Sequence, residues 1–136
     1  GPEIKRLLNY SNKHNLNNVY FLGYKENIID YIKASNLLLH FSQSESFGHV
    51  VIEAGLSSVP ALACKNTGIF EKIIDHNKSG FLVKKNDPIN DSYLLLSKVT
   101  RNKLNLMGKQ LNINVLEKFN IKKTIDKYFN LIDGQK

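Results

Sequence analysis

Four short apolar runs, each almost unbroken by polar residues, recur along the chain: "NVYFLG" at 18–23, "NLLLHFS" at 36–42, "PALAC" at 60–64 and "GFLV" at 80–83. A strand with one wet face alternates apolar and polar residues. A strand that is apolar throughout must be covered on both faces, which is the situation of a parallel sheet. Between the runs lie "EIKRLLNYSNKH" (3–14), "ENIIDYIKAS" (26–35), "SFGHVVIEAGLSS" (46–58) and "GIFEKIIDH" (68–76), with apolar residues at helical spacing such as Ile28, Ile29 and Ile32. Regular alternation of strand and helix predicts an α/β fold: a parallel sheet of about four strands, right-handed crossovers, and helices on both faces.

After Val83 the strands stop. Asp87-Pro88 opens a helical region in which Leu104, Met107, Leu111, Val115 and Phe119 hold one stripe, and Ile121, Ile125, Tyr128, Phe129 and Ile132 hold another. Such stripes face a core far more often than a ligand. The expectation is one domain, with a sheet-bearing part at 1–86 and C-terminal helices at 87–136 packed on it. The 136 residues suit a single domain. The chain opens Gly-Pro rather than Met, which points to something upstream.

Charge separates the two parts. Residues 1–83 carry eight Lys/Arg against seven Asp/Glu, whereas 84–136 carry eleven against five, so the excess behind the net +7 is C-terminal. That excess suits peripheral contact with anionic lipid or an acidic acceptor, or simply a solvated helix face. It does not suit nucleic acid, because the basic residues are not interleaved with aromatics. The single cysteine, Cys64, excludes a disulfide framework and a cysteine-rich metal site, and favours a reducing compartment. With no signal peptide and no run of ~18 apolar residues, the expected location is cytoplasmic, with contact at the inner face of the membrane. His14, His40, His49 and His76 are dispersed and no Asp-x-Asp occurs, so no metal is expected.

In an open parallel sheet, ligands bind outside the carboxyl ends of the strands. Three loops fall there: "GYKEN" after the first run, "SQSESFGH" after the second and "KNTGIFE" after the third. The second is the most informative. Gly48 lacks a Cβ and lets a ligand approach the backbone where a helix begins. The N–H groups of Phe47, Gly48, His49 and Val50 would point outward there, at the positive end of the helix dipole. That makes an anion site without a basic side chain, and a diphosphate fits it. Glu45 precedes the mouth and Glu53 lies about two turns inside, roughly 11 Å along. Ionised carboxylates only accept hydrogen bonds, and sugar and ribose hydroxyls donate them. The two glutamates are therefore candidates for gripping opposite ends of a nucleotide-sugar. On spacing alone a plainer reading stays open, with Glu45 favouring the helix dipole and Glu53 paired with His49.

The stretch "SQSESFGHVVIEAGLSSVPALAC" (42–64) resembles the E-x7-E signature of retaining glycosyltransferases of the group 1, or family 4, type. The similarity runs from Gly1 to about Val83, through "GPEIKRLL", "NNVYFLGYKENIIDYIKASNLLLHFSQSESFG" and "NTGIFEKIIDHNKSGFLV". The resemblance implies half of a GT-B architecture, in which two Rossmann-like domains face a cleft and the C-terminal one binds the donor. It implies that Glu45 contacts the transferred sugar and is the catalytic-site carboxylate, with the backbone of Phe47 and Gly48 on the sugar hydroxyls. His49 and Val50 would offer amides to the diphosphate, and Glu53 would hold the ribose. Gly23, Tyr24 and Lys25 look like the loop that lies against the base, although Tyr24 is equally suited to capping the sheet edge. Gly68 and Glu71 match a later Gly-x-x-Glu, with Ile69 and Phe70 in place of the frequent Gly and Pro; Glu71 then reads as a helix-entry residue.

The donor implied is UDP- or GDP-linked, used without cofactor or metal, and the acceptor a glycan or a lipid-linked glycan of surface-polysaccharide type. Members of the family neutralise the leaving diphosphate with an Arg and a Lys near the first strand of this domain. Arg6 and Arg101, the only arginines, match neither role. The isolated chain is therefore expected to transfer sugar poorly or not at all, and an exposed sheet edge is expected to favour a homodimer. The rival readings are a non-catalytic nucleotide-sugar-binding or interaction domain, a nucleotide-sugar epimerase-like protein, and a basic adaptor without a small ligand.

Overall fold

The computed structural model describes residues 2–42 and 44–120. In chain order the elements are α1 (Ile4–Lys13), α2 (Ile28–Ala34), β1 (Leu38–His40), α3 (His49–Leu56), β2 (Ala61–Cys64), α4 (Phe70–Ile73), β3 (Gly80–Val83), α5 (Pro88–Leu96) and α6 (Arg101–Lys118). The strands form a parallel sheet in the order β1-β2-β3, with Leu39 opposite Leu62 and Leu62 opposite Phe81.

The apolar runs behave as two-sided burial requires. Along β2, Ala61 and Ala63 join Val51, Phe70, Ile73, Leu82, Leu111 and Val115 on one face. Leu62 and Cys64 point the other way and pack with Phe81, Val83 and Met107, under Leu95 and Leu96 of α5. Successive strand residues alternate sides, so a run without polar residues feeds both cores at once. Helix α6 contributes to both, through Met107 on one face and Leu111 and Val115 on the other. It approaches α3 closely: a β-carbon on Gly55 would lie 2.5 Å from Val115 Cγ2. Thr100 caps α6, its hydroxyl accepting from the Lys103 amide at 3.3 Å. The second C-terminal stripe, from Ile121 to Ile132, lies outside the described residues.

The first apolar run differs from expectation. Residues 18–23 form no strand, and the segment is exposed, Tyr20 to 78%. The described sheet therefore has three strands rather than about four. A strand exists only beside a partner, and β1 pairs with β2 alone; apolar composition signals a preference for burial but does not supply a neighbour. The exposed edge of the sheet is accordingly β1, where Leu39 is 51% exposed. The far edge is closed differently. His76 makes an isolated bridge to Gly80, and its Nδ1 accepts the Leu82 amide at 3.0 Å. That arrangement occupies amides that an edge strand would otherwise present.

A buried hub ties α6 to the turn before β3. Asn114, 5% exposed, donates through Nδ2 to the Ile73 carbonyl (3.1 Å), Asp75 Oδ2 (2.9 Å) and Ser79 Oγ (3.2 Å).

Candidate functional site

The carboxyl ends of β1 and β2 open into the loops that hold most of the candidate residues. Helix α3 begins at Gly48, whose φ of 74° and ψ of 39° are left-handed. A side chain there would be strained, and its β-carbon would meet the Phe70 ring at 2.8 Å. Phe70 is fully buried and also lies edge-on to His40, with ring centroids 5.3 Å apart. One aromatic thus supports both the helix start and the last residue of β1. The amides of His49 and Val50 open the helix and have no acceptor within it.

Glu45 turns back onto this mouth. Its Oε1 accepts the Ser46 amide at 3.1 Å, and its Oε2 lies 3.3 Å from His40 Nε2. The Gly48 amide holds the carboxyl below its ordinary range; partial burial opposes this, while His40 and the Phe47 and Ser46 amides add to it. The backbone of Glu45 is fastened separately, its N–H donating to the Thr67 carbonyl at 2.6 Å. Thr67 is buried and anchors itself by donating from Oγ1 to the Cys64 carbonyl at 2.8 Å. Gly68, with φ at +150°, presses against the Glu45 carbonyl oxygen, where a β-carbon would come within 2.0 Å.

Glu53 lies on α3 away from the face formed by Val51, Ala54 and Gly55. It is half-buried, and its carboxylate makes no hydrogen bond or ion pair among the described residues. The simple pairing with His49 is therefore not formed. The His49 ring instead sits 4.8 Å from Phe47, which also meets Phe119 at 5.6 Å.

The structure joins Glu45, Phe47, Gly48, His49, Val50 and Gly68 around one helix start, with Glu53 on the same helix. It does not join Gly23, Tyr24 and Lys25 to them. Tyr24 is 89% exposed and caps no sheet edge, while Lys25 places its Nζ 5.9 Å above the Tyr31 ring, on the α2 side. Glu71 serves the 66–71 loop, its carboxylate accepting the Asn66 amide at the start of α4. Sequence reasoning missed His40 and Thr67. His40 ends a strand at the carboxyl edge, and that position was its signal; Thr67 had none, since its contacts come from the backbone of another loop. No group of three or more potential metal ligands occurs among the described residues. None of the described helices is long and apolar enough to cross a membrane.

A parallel α/β sheet whose strand ends feed a glycine-started helix mouth defines a Rossmann-like half-domain. The chain belongs to the family described as glycosyl transferases group 1, which it matches over residues 1–126. It is 33% identical over 131 residues to the N-acetyl-alpha-D-glucosaminyl L-malate synthase of Bacillus anthracis, covering 94% of this chain and 34% of that protein. Among solved structures it is similar to the GT-B glycosyltransferase TarM of S. aureus (TM-score 0.81, 24% identity, 93% of this chain and 26% of that one). It is also similar to Anabaena Alr3699/HepE, solved in complex with UDP (TM-score 0.72, 25% identity, 93% and 36%). The chain spans about a third of the length of the curated relative.

Proposed function

We propose that this chain supplies the donor-binding half of a retaining glycosyltransferase that moves a sugar from a UDP- or GDP-sugar to a glycan or lipid-linked acceptor, without a metal. The observation that carries this reading is a pair of acids set around one helix, Glu45 before its start and Glu53 within it. Glu45 already rests on the amides at the mouth of α3, and Glu53 stands half-buried and unpartnered farther along. A carboxylate held on the helix with its acceptor positions open is available to the hydroxyls of a ligand.

In the bound complex the diphosphate takes the His49 and Val50 amides, where the helix dipole favours it. Glu45 swings from the mouth to the sugar hydroxyls, alongside the backbone of Phe47 and Gly48. Glu53 accepts from the ribose diol, and Gly68 keeps the Glu45 backbone in place. The UDP complex of the Anabaena relative supports a nucleotide-linked donor. Transfer needs positive charge on the leaving diphosphate, which neither arginine of this chain is placed to give. We therefore read the chain as binding-competent but catalytically weak alone.

Calorimetric titration with UDP, GDP and their sugars tests the reading on the wild type and Glu53→Ala. Loss of a carboxylate–hydroxyl contact should weaken binding by roughly 10- to 100-fold, corresponding to ~1.5–3 kcal/mol. Failure of every nucleotide to bind, or equal binding by both proteins, would remove it.

A further inference from the structure

The carboxyl edge of the sheet carries a second polar concavity, one strand away from Glu45. It encloses about 500 Å³ and is lined by Lys65, Asn66, Lys84, Lys85 and Asn86. We propose that Lys65, Lys84 and Lys85 form an anion site that takes a phosphate-bearing group, distinct from the mouth of α3.

The sheet register produces the cluster. Cys64 and Val83 are opposite each other at the ends of β2 and β3, and the Lys65 amide continues the ladder by donating to the Val83 carbonyl at 2.8 Å. Lys65 and Lys84 therefore leave the sheet side by side, from strands about 4.8 Å apart. Lys85 follows at once, and two carboxamides complete the lining. No acid lines this concavity, and none of the three lysines forms an ion pair among the described residues.

Two carboxylates border the site and are already engaged by backbone: Asp91 accepts the Lys84 amide at 3.0 Å and belongs to the adjoining hollow around His76, and Glu71 accepts the Asn66 amide. Neighbouring groups register the positive field. His76 is held below its ordinary value by burial first, then by Lys65 and Lys103. Burial pushes the Cys64 thiol up, and Lys85 works against it.

Three lysines gathered on one concavity with no acid in its lining raise the local positive potential, and an anion bound among them lowers it. A phosphate suits the set because it brings up to two charges and several acceptor oxygens to three ammonium groups and two carboxamides, all of them N–H donors. The loop at 65–68 links the two sites. Lys65 and Asn66 face the concavity, while Thr67 and Gly68 hold the backbone of Glu45. A phosphate bound there would sit on the carboxyl end of the same sheet as the proposed donor. Assigning that phosphate to the acceptor rests on the proposed function; the anion site itself does not.

The test is an amide-resolved NMR titration with inorganic pyrophosphate at constant ionic strength, on the wild type, Lys84→Gln/Lys85→Gln and Glu53→Ala. The expected result is saturable shifts at Lys65, Asn66 and Lys84–Asn86. They should weaken about tenfold in the double variant and persist unchanged in Glu53→Ala. Both lysines are exposed, so the double variant should fold, which its thermal melt verifies. Shifts confined to Ser46–Val50, non-saturating shifts at every lysine, or equal binding by the double variant would overturn the proposal. Co-sedimentation with phosphatidylglycerol or phosphatidylcholine vesicles separates the sources. Anionic-vesicle binding lost in the double variant assigns a lipid headgroup, and its absence beside pyrophosphate binding assigns a soluble phosphate. If pyrophosphate binds at the lysines while no nucleotide binds, the site stands and the donor reading falls.

Discussion

Gly68 packs so tightly against Glu45 that a β-carbon added to the glycine would lie 2.0 Å from the glutamate's carbonyl oxygen. The same loop grips Glu45 from the other side, through the 2.6 Å hydrogen bond between the Glu45 amide and the Thr67 carbonyl. Backbone, rather than side chain, thus fixes where this carboxylate starts from.

Gly68→Ala should therefore destabilise the chain and displace Glu45 together. The φ of +150° alone disfavours alanine by about 1–3 kcal/mol, before the clash is added. Urea unfolding measures the loss of stability, and amide shifts at Ser44–Gly48 report the displacement. An alanine variant as stable as the wild type would show that the contact relaxes without cost.

Asn114→Ala should be far more damaging than an exposed polar change on α6. It removes the donor to the Ile73 carbonyl and to Asp75 Oδ2, and leaves the Ser79 hydroxyl with the Asp75 amide alone. A loss of about 2–4 kcal/mol is expected in denaturant melts, against under about 1 kcal/mol for an exposed change such as Lys109→Ala.

Acid should weaken the closed edge of the sheet. His76 accepts the Leu82 amide through a neutral ring nitrogen and is held below its ordinary 6.5. The folded state then binds fewer protons than the unfolded state at this site. Its contribution is complete above about pH 6.5 and is lost as the pH falls toward the depressed folded value. The melting temperature should drop between about pH 7.5 and about pH 5, and His76→Gln should flatten that part of the profile. Parallel profiles for the two proteins would count against this role.

Glu45→Ala should separate nucleotide from sugar. Removing the carboxylate frees the Ser46 and Gly48 amides, so UDP alone should bind at least as well as to the wild type. The additional affinity of a UDP-sugar over UDP should disappear. Paired titrations with the two ligands give the ratio directly, and an unchanged ratio would dissociate Glu45 from the sugar.

Much of this arrangement was legible in the residues. The runs at 36–42, 60–64 and 80–83 contain β1, β2 and β3, because apolar continuity reports burial on both faces. Met107, Leu111 and Val115 are buried as their spacing requires. The glycine and the following apolar residues at 48–56 located α3 and so brought Phe47, Gly48, His49, Val50 and Glu53 to one place. The run at 18–23 misled because its apolar character says nothing about a partner strand. The Thr67 tether, the Asn114 hub and the His40–Glu45 contact were invisible for a related reason. Each joins side chains or backbone across loops, with no period for a pattern to reveal.

The carboxylate resting on the amides at 46–48 has one more implication. A simple ion arriving from solvent finds the amides at 46–48 taken by a rival tethered a few bonds away, and only those of His49 and Val50 open. Eviction requires a visitor that offers Glu45 something else to hold while it claims the main-chain donors. If the proposed donor site holds, discrimination against simple ions begins with that contact, and a two-part molecule is favoured.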